Sequence, residues 1–205
     1  MWIIEELGII EYQKAYEYQQ SLVNRKLAGE KDNFFLLLEH PPTFTRGKAA
    51  KDSNILDKSI PVYTVNRGGD LTYHEPGQLV GYIILDLRAE NLKMREFIRK
   101  IQTLIIDSLA QLDIYAEKEP SGNLSNLTGV WLEGKKIASI GIGLRQGITM
   151  HGFALNIENT LEGFQKINPC GLKPENYSSI NVITTRNFSV TTISRQIIKN
   201  FYNLF

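Results

Sequence analysis

Val130-Trp131-Leu132-Glu133-Gly134-Lys135-Lys136-Ile137-Ala138-Ser139-Ile140-Gly141-Ile142-Gly143-Leu144 is a pair of apolar runs hinged on a glycine. Val130 to Leu132 and Lys136 to Leu144 read as the arms of a β-hairpin with Gly134 in the turn. Gly147 then introduces Ile148 to Ile157, the third strand of an antiparallel meander. Lys136 opens the middle strand. Lys135 points to the opposite face and reads as a solvated strand residue.

Upstream, Gln78 to Asp86 is nearly continuous in Val, Ile, Leu and Tyr, as for a central strand covered on both faces. Asn33 to Glu39, closed by His40-Pro41-Pro42, and the alternating Pro61 to Asn66 read as further strands. Glu11 to Ala28 carries apolar residues at helical spacing and ends at Gly29, a C-cap glycine. Met94, Phe97, Ile98, Ile101, Leu104, Ile105, Ser108, Leu109 and Leu112 form the stripe of the longest helix. A short helix over Leu161 to Ile167 and a final amphipathic helix over Val190 to Tyr202 complete an α/β chain. No repeat or linker interrupts it, so residues 1–205 are expected to form one domain.

Charge and composition narrow the function classes. With 23 basic and 22 acidic residues the formal charge is +1, which supplies no bulk field for nucleic acid or a membrane surface. One cysteine and three histidines are too few and too scattered for a structural zinc site and exclude an intramolecular disulfide. The acids Glu5 and Glu6 break the N-terminal apolar stretch that a signal peptide needs. The longest apolar runs are about half of the ~20 residues that span a bilayer, and a reducing cytoplasm is the expected compartment. Asn123-Leu124-Ser125 and Asn126-Leu127-Thr128 match the glycosylation pattern but, without export, read as loops.

Arg67-Gly68-Gly69-Asp70-Leu71-Thr72-Tyr73-His74-Glu75-Pro76-Gly77-Gln78 is the densest polar run and reads as a loop between two strands. Its paired glycines let backbone amides approach a ligand, with Arg67, Thr72, Tyr73 and His74 as donors around them. His151-Gly152-Phe153-Ala154-Leu155-Asn156 places a histidine beside a small residue on a strand. Gly141-Ile142-Gly143-Leu144-Arg145-Gln146-Gly147 is not a dinucleotide fingerprint, because its last glycine falls one position late and no helix follows. Gly47-Lys48 is followed by Ala49, so a phosphate-binding loop with its hydroxyl metal ligand is absent too.

Taken together, Arg67 to Gln78, Lys136 to Gly141, His151 to Asn156 and Asn168-Pro169-Cys170-Gly171 resemble, in this order, the motifs of the lipoyl(octanoyl) transferase family. Leu38-Glu39-His40-Pro41-Pro42 also looks like the family's N-terminal strand end, with Thr45-Arg46-Gly47 after it. The resemblance covers nearly the whole chain. It implies a biotin and lipoate protein ligase fold, α+β, with a mixed, largely antiparallel sheet flanked by helices. It also implies an acyltransferase that moves octanoyl from octanoyl-acyl-carrier protein to a lysine of lipoyl domains, the first step of endogenous protein lipoylation. The acceptors would be the E2 subunits of 2-oxoacid dehydrogenases and the glycine cleavage H protein, and the enzyme a monomer.

By the same resemblance Cys170 is the nucleophile and Lys136 its activating base. Substrate contacts fall on Arg67, Gly68, Gly69, Asp70, Leu71, Thr72, Tyr73 and His74, on Ser139, Ile140 and Gly141, and on Gly152, Phe153 and Ala154. Asp70 stands where Gln is common and Glu75 where Gly is common. The related ligases activate a free acid with ATP and lack this cysteine, which makes Cys170 the discriminating residue.

A free thiol titrates near ~8.5, and a nearby cation lowers that value, so Lys136 can hold Cys170 as a thiolate. No ATP, metal or other cofactor is required, because the acyl group arrives as a thioester. Leu71, Ile140, Ile142 and Phe153 are candidate linings for the acyl chain, and amides near Cys170-Gly171 or on the Gly152 strand are candidate oxyanion donors. Arg46, Lys48, Arg67 and Arg145 are candidates for a basic rim that meets an acidic carrier. The competing expectations are a lipoate or biotin ligase, a Cys-His hydrolase using Cys170 with His74 or His151 and Asn156 or Asn168, and a silent acyl-binding module.

Overall fold

The computed structural model describes residues 1–120 and 128–205, and at Cys170 the backbone only. Asn123 and Asn126 of the two glycosylation-like triplets lie outside the described residues. The chain runs β1 (Trp2–Ile9), α1 (Tyr12–Leu27), β2 (Asn33–Glu39), β3 (Thr43–Arg46), β4 (Val62–Thr64), β5 (Leu71–His74), β6 (Gln78–Ile84) and α2 (Met94–Ala110). There follow β7 (Glu117–Lys118), β8 (Gly129–Leu132), β9 (Lys135–Arg145), β10 (Ile148–Asn156), α3 (Ile180–Thr184) and α4 (Val190–Leu204).

The meander read from the hairpin is the backbone of a seven-stranded sheet ordered β1-β2-β6-β10-β9-β8-β7. Every pair in it is antiparallel except β1 with β2. Strand β6 lies inside the sheet between β2 and β10, and its side chains alternate between two cores. Leu79 and Ile83 join Phe97, Ile101, Leu104, Ile105, Ile193, Ile197 and Phe201 under α2 and α4. Val80, Tyr82 and Ile84 join Ala15, Leu22 and Val23 of α1 on the opposite face. Both faces being covered is the physical reason the β6 sequence is apolar without alternation.

A second sheet, ordered β4-β3-β5, stands against the α1 side and has its own small core of Phe44, Leu71, Tyr73, Phe164, Ile167 and Tyr177. Here the structure departs from the sequence reading. Leu71 to His74 is a strand, not a loop, because Thr43 to Arg46 supplies its ladder through the pairs Thr43 with His74 and Thr45 with Thr72. Trp2 to Ile9, read only for an export signal, forms the parallel edge strand on β2. Leu161 to Ile167 holds a 3-10 helix over Glu162–Lys166, and β9 begins at Lys135, one residue before Lys136. Among the described residues no helix is long and apolar enough to cross a membrane.

Candidate active site

Between the two sheets lies a half-open cleft with about 510 Å³ of space, open solvent at its mouth included. Strand β9 contributes Lys136, Ser139, Ile140 and Gly141, and its neighbour β10 contributes His151, Gly152, Phe153 and Ala154. The Arg67 to His74 segment closes the opposite wall with Arg67, Gly69, Leu71, Thr72 and His74. Gly141 and Gly152 pair across the β9–β10 ladder, so no Cβ fills the floor there. Gly69 has φ +79°, which a side chain would strain, and a Cβ at Gly141 would meet the Arg67 side chain at 3.2 Å.

Gly68, Asp70, Tyr73 and Ile142, also named from the sequence, lie beside the cleft and are not among its lining residues. Gly68 donates its N–H to the Ile142 carbonyl at 2.8 Å, fastening the segment to β9. Asp70 turns its buried carboxylate to Asn54 and to the Leu71 N–H. Tyr73 packs its ring between Phe44 and Phe164, and burial, then Glu75 and Glu162, push its phenol up to about 12. Ile142 packs toward the α2–α4 core and is not a lining residue. The proposed basic rim is also thinner than its sequence suggests. Arg67 is buried and donates to the Thr45 and Gly68 carbonyls, Arg46 pairs with Asp52 at 2.9 Å, and Arg145 donates to Asn24.

Lys136 is only 1 % exposed, an unusual state for a lysine, whereas Lys135 is exposed and donates to the Glu175 carbonyl. Room for the Lys136 stem comes from Gly129 on β8, where a Cβ would lie 2.6 Å from Lys136 Cε. Its Nζ stands 5.8 Å from the centre of the Tyr177 ring. The Lys136 carbonyl accepts the Ser178 N–H, and Lys136 and Tyr177 form an isolated parallel bridge. Tyr177 in turn donates its hydroxyl to the Pro169 carbonyl at 3.1 Å. Cys170 follows Pro169 in a 3-10 turn over Pro169–Gly171, and its side chain lies outside the described atoms. Two covalent neighbourhoods far apart in sequence thus meet through one tyrosine. The Gly171 N–H donates to the Asn168 carbonyl, which withdraws it from the oxyanion donors.

Sequence reasoning missed Tyr12 and Tyr82 as lining residues and the part played by His40. The His40 ring faces the Ile10 carbonyl through Nδ1, so Nδ1 carries the proton and Nε2 accepts from the Tyr82 hydroxyl at 2.7 Å. His74 Nδ1 donates to Gln78 Oε1, because the Gln78 amide nitrogen is already donating to Tyr73 and Asn156. Burial, with smaller contributions from His40 and Arg67, pushes His74 down to about 3, and burial with Arg67 does the same to His151. Burial lowers His40 to about 4. All three rings are neutral at pH 7. His151 holds φ 62° within β10, and its buried Nε2 has no hydrogen-bond partner among the described residues. No single residue pattern could have shown this wall, since α1, the β2 end, β5, β6 and β10 each supply one ring. Among the described lining residues the charged side chains are cations, Arg67 and Lys136, and none is acidic. Such a cleft favours negative charge developing within it.

The sequence pattern of the lipoyl protein ligase A/B catalytic domain matches residues 11–202. The chain belongs to this family. Within it, an octanoyltransferase from Syntrophotalea carbinolica is 39 % identical over 201 residues, 98 % of this chain and 93 % of that one. A crystal structure of lipoate-protein ligase A bound with ATP superposes with a TM-score of 0.78 at 16 % identity, covering 99 % of this chain and 84 % of that one. The biotin protein ligase of Aquifex aeolicus gives 0.53 at 9 % identity, over 98 % and 67 % of the two chains. At those identities the ligases share the fold, a mixed, mostly antiparallel sheet flanked by helices, which agrees with the family resemblance of the sequence.

Proposed function

We propose that this member of the family carries octanoyl from an acyl-carrier protein to a lipoyl-domain lysine as a thioester on Cys170. The chain is an acyltransferase of the octanoyltransferase kind, serving protein lipoylation. The observation that carries the covalent route is the Lys136–Tyr177–Pro169 link, which brings a buried cation to the turn that bears the lone cysteine. In the first half, Cys170 Sγ as thiolate attacks the thioester carbonyl, the bond to the carrier sulfur breaks, and the departing thiolate takes a proton from the Lys136 ammonium. In the second, the neutral acceptor amine attacks the Cys170 thioester, its proton passes to Lys136, and Sγ leaves as thiolate. Atoms and protons balance over the cycle, and thioester to amide is the downhill step.

Leu71, Ile140 and Phe153 give the acyl chain apolar walls, where each buried methylene contributes about 0.8 kcal/mol. The donor on this reading is octanoyl-acyl-carrier protein, and the acceptors are lipoyl domains of 2-oxoacid dehydrogenase E2 subunits and the glycine cleavage H protein. A Cys-His hydrolase fits less well, since imidazoles held near 3 are poor bases at pH 7. The deciding experiment incubates the protein with octanoyl-carrier protein and takes an intact mass. An octanoyl adduct lost in Cys170→Ser is expected, and a wild-type protein that turns over without one overturns the covalent route.

A further inference from the structure

We propose that Asn54 is a positioning residue for the nucleophile, coupling the Cys170 turn to the acyl-binding segment through the buried carboxylate of Asp70. The proposal rests on the reading of Cys170 above. Asn168, two residues before Cys170, donates its N–H to the Asn54 carbonyl at 2.7 Å. Leu56 and Asp57 donate to the Lys166 carbonyl at 2.9 and 3.1 Å, and Ile55 bridges Ile167. Residues 54–57 and 166–168 therefore form a short ladder, and the Pro169–Gly171 turn springs from its end.

The other hand of Asn54 reaches the cleft. Its Nδ2 donates to the Asp70 carboxylate, whose Oδ1 accepts the N–H of Leu71 at 2.7 Å. Leu71 opens β5, and Leu71, Thr72 and His74 line the cleft. One asparagine thus joins the turn that carries the reacting sulfur to the wall that would hold the acyl group. The turn also packs on β5 through the apolar core that Leu71 and Tyr73 share with Ile167 and Leu172, and Asn54 adds a polar tether to that packing. The 3-10 helix Asp52–Asn54 buries no residue, and its ion pair, Asp52 with Arg46, involves an aspartate that is 85 % exposed. A hydrogen bond to a buried carboxylate is one of the stronger kinds, and geometry near a reacting atom is unforgiving, with 1 Å of misplacement costing about 100-fold in rate.

The test exchanges donor and acceptor. Asn54→Asp sets two carboxylates against each other, and Asn54→Asp with Asp70→Asn restores one donor and one acceptor in reversed order. Asn54→Ala removes the donor without adding charge and serves if Asn54→Asp folds poorly. Two readouts are taken: single-turnover octanoylation by intact mass, and the pH profile of iodoacetamide alkylation, which is clean because the chain has one cysteine. Asn54→Asp should slow octanoylation about tenfold or more and move the alkylation profile, with the exchanged pair recovering to within about threefold. A purely structural clasp would lower the melting temperature and leave the alkylation profile in place. Wild-type rate and profile in Asn54→Asp, or no recovery in the exchanged pair, overturns the proposal. A wild-type protein that never forms the adduct overturns the Cys170 reading itself, and the tether's role with it.

Discussion

Lys136 stands on an 11-residue strand laddered by β8 on one side and β10 on the other, whereas Cys170 stands on a 3-residue turn. The strand side is held by the cooperative sheet, so disturbing it costs the whole domain. Among the described residues the turn side belongs to no sheet; it is tied by the Asn168 N–H to the Asn54 carbonyl, by the Tyr177 hydroxyl to the Pro169 carbonyl, and by packing against β5. On the proposed mechanism, an activating lysine on the first kind of scaffold and a nucleophile on the second would keep the electrostatics fixed while leaving the reacting sulfur adjustable. This arrangement also makes the tethers, Tyr177 and Asn54, the places where geometry is set.

The largest expected effect separates chemistry from scaffold. Lys136→Met keeps most of the buried stem and removes the cation, and general acid-base contributions of this kind are worth about 100- to 10,000-fold. Steady-state kcat should fall within that range while the melting temperature stays close to wild type, and retained kcat would detach Lys136 from the reaction. Next comes acid, which acts on the strand side, where the His40, His74 and His151 wall packs. Their folded values near 4, 3 and 3 lie below the ordinary 6.5, so the unfolded chain takes up protons first.

The resulting stabilisation is complete above 6.5 and is lost as pH falls from there toward 3 to 4. Each histidine contributes up to roughly 1.4 kcal/mol per pH unit over that range. Urea midpoints measured from pH 7 to 5, above the carboxylate range, should drop steadily, and His151→Phe should make the slope shallower. A flat profile would show the wall to be protonated or open in the folded state. The smallest effect belongs to Lys135→Ala, which removes an exposed contact to the Glu175 carbonyl. Stability should change by less than about 0.5 kcal/mol with kcat unaltered, in contrast to its neighbour, and a large loss would erase the distinction between the two faces of β9.

Much of this was legible in advance where a signal is local. The Gly134 turn, the apolar run of β6 and the Phe97 to Leu109 stripe each state their element because periodicity reflects which face is buried. The motif segments at Arg67, Lys136, His151 and Asn168 were visible as residue types in order. What stayed hidden was every feature made by partners distant in sequence. Leu71 to His74 looks like a polar loop until β3 pairs with it, and Trp2 to Ile9 has no sheet to join until β2 lies beside it. Asn54 carries no motif at all, because its meaning is the position of Asp70 and Asn168 on either side.

The sequence by itself determined the antiparallel meander, the three long helices that cover it, and a chemistry reduced to one thiol and a small set of cations. Only the tertiary structure decided what Lys136 is buried against, Gly129 and Tyr177, and which arginine leaves the rim for the cleft wall. It also decided that three histidines from three segments share one neutral wall. The physical reason is common to all three. Burial and the charges around a group set its protonation and reach, and those are properties of what packs against a residue, not of its neighbours along the chain.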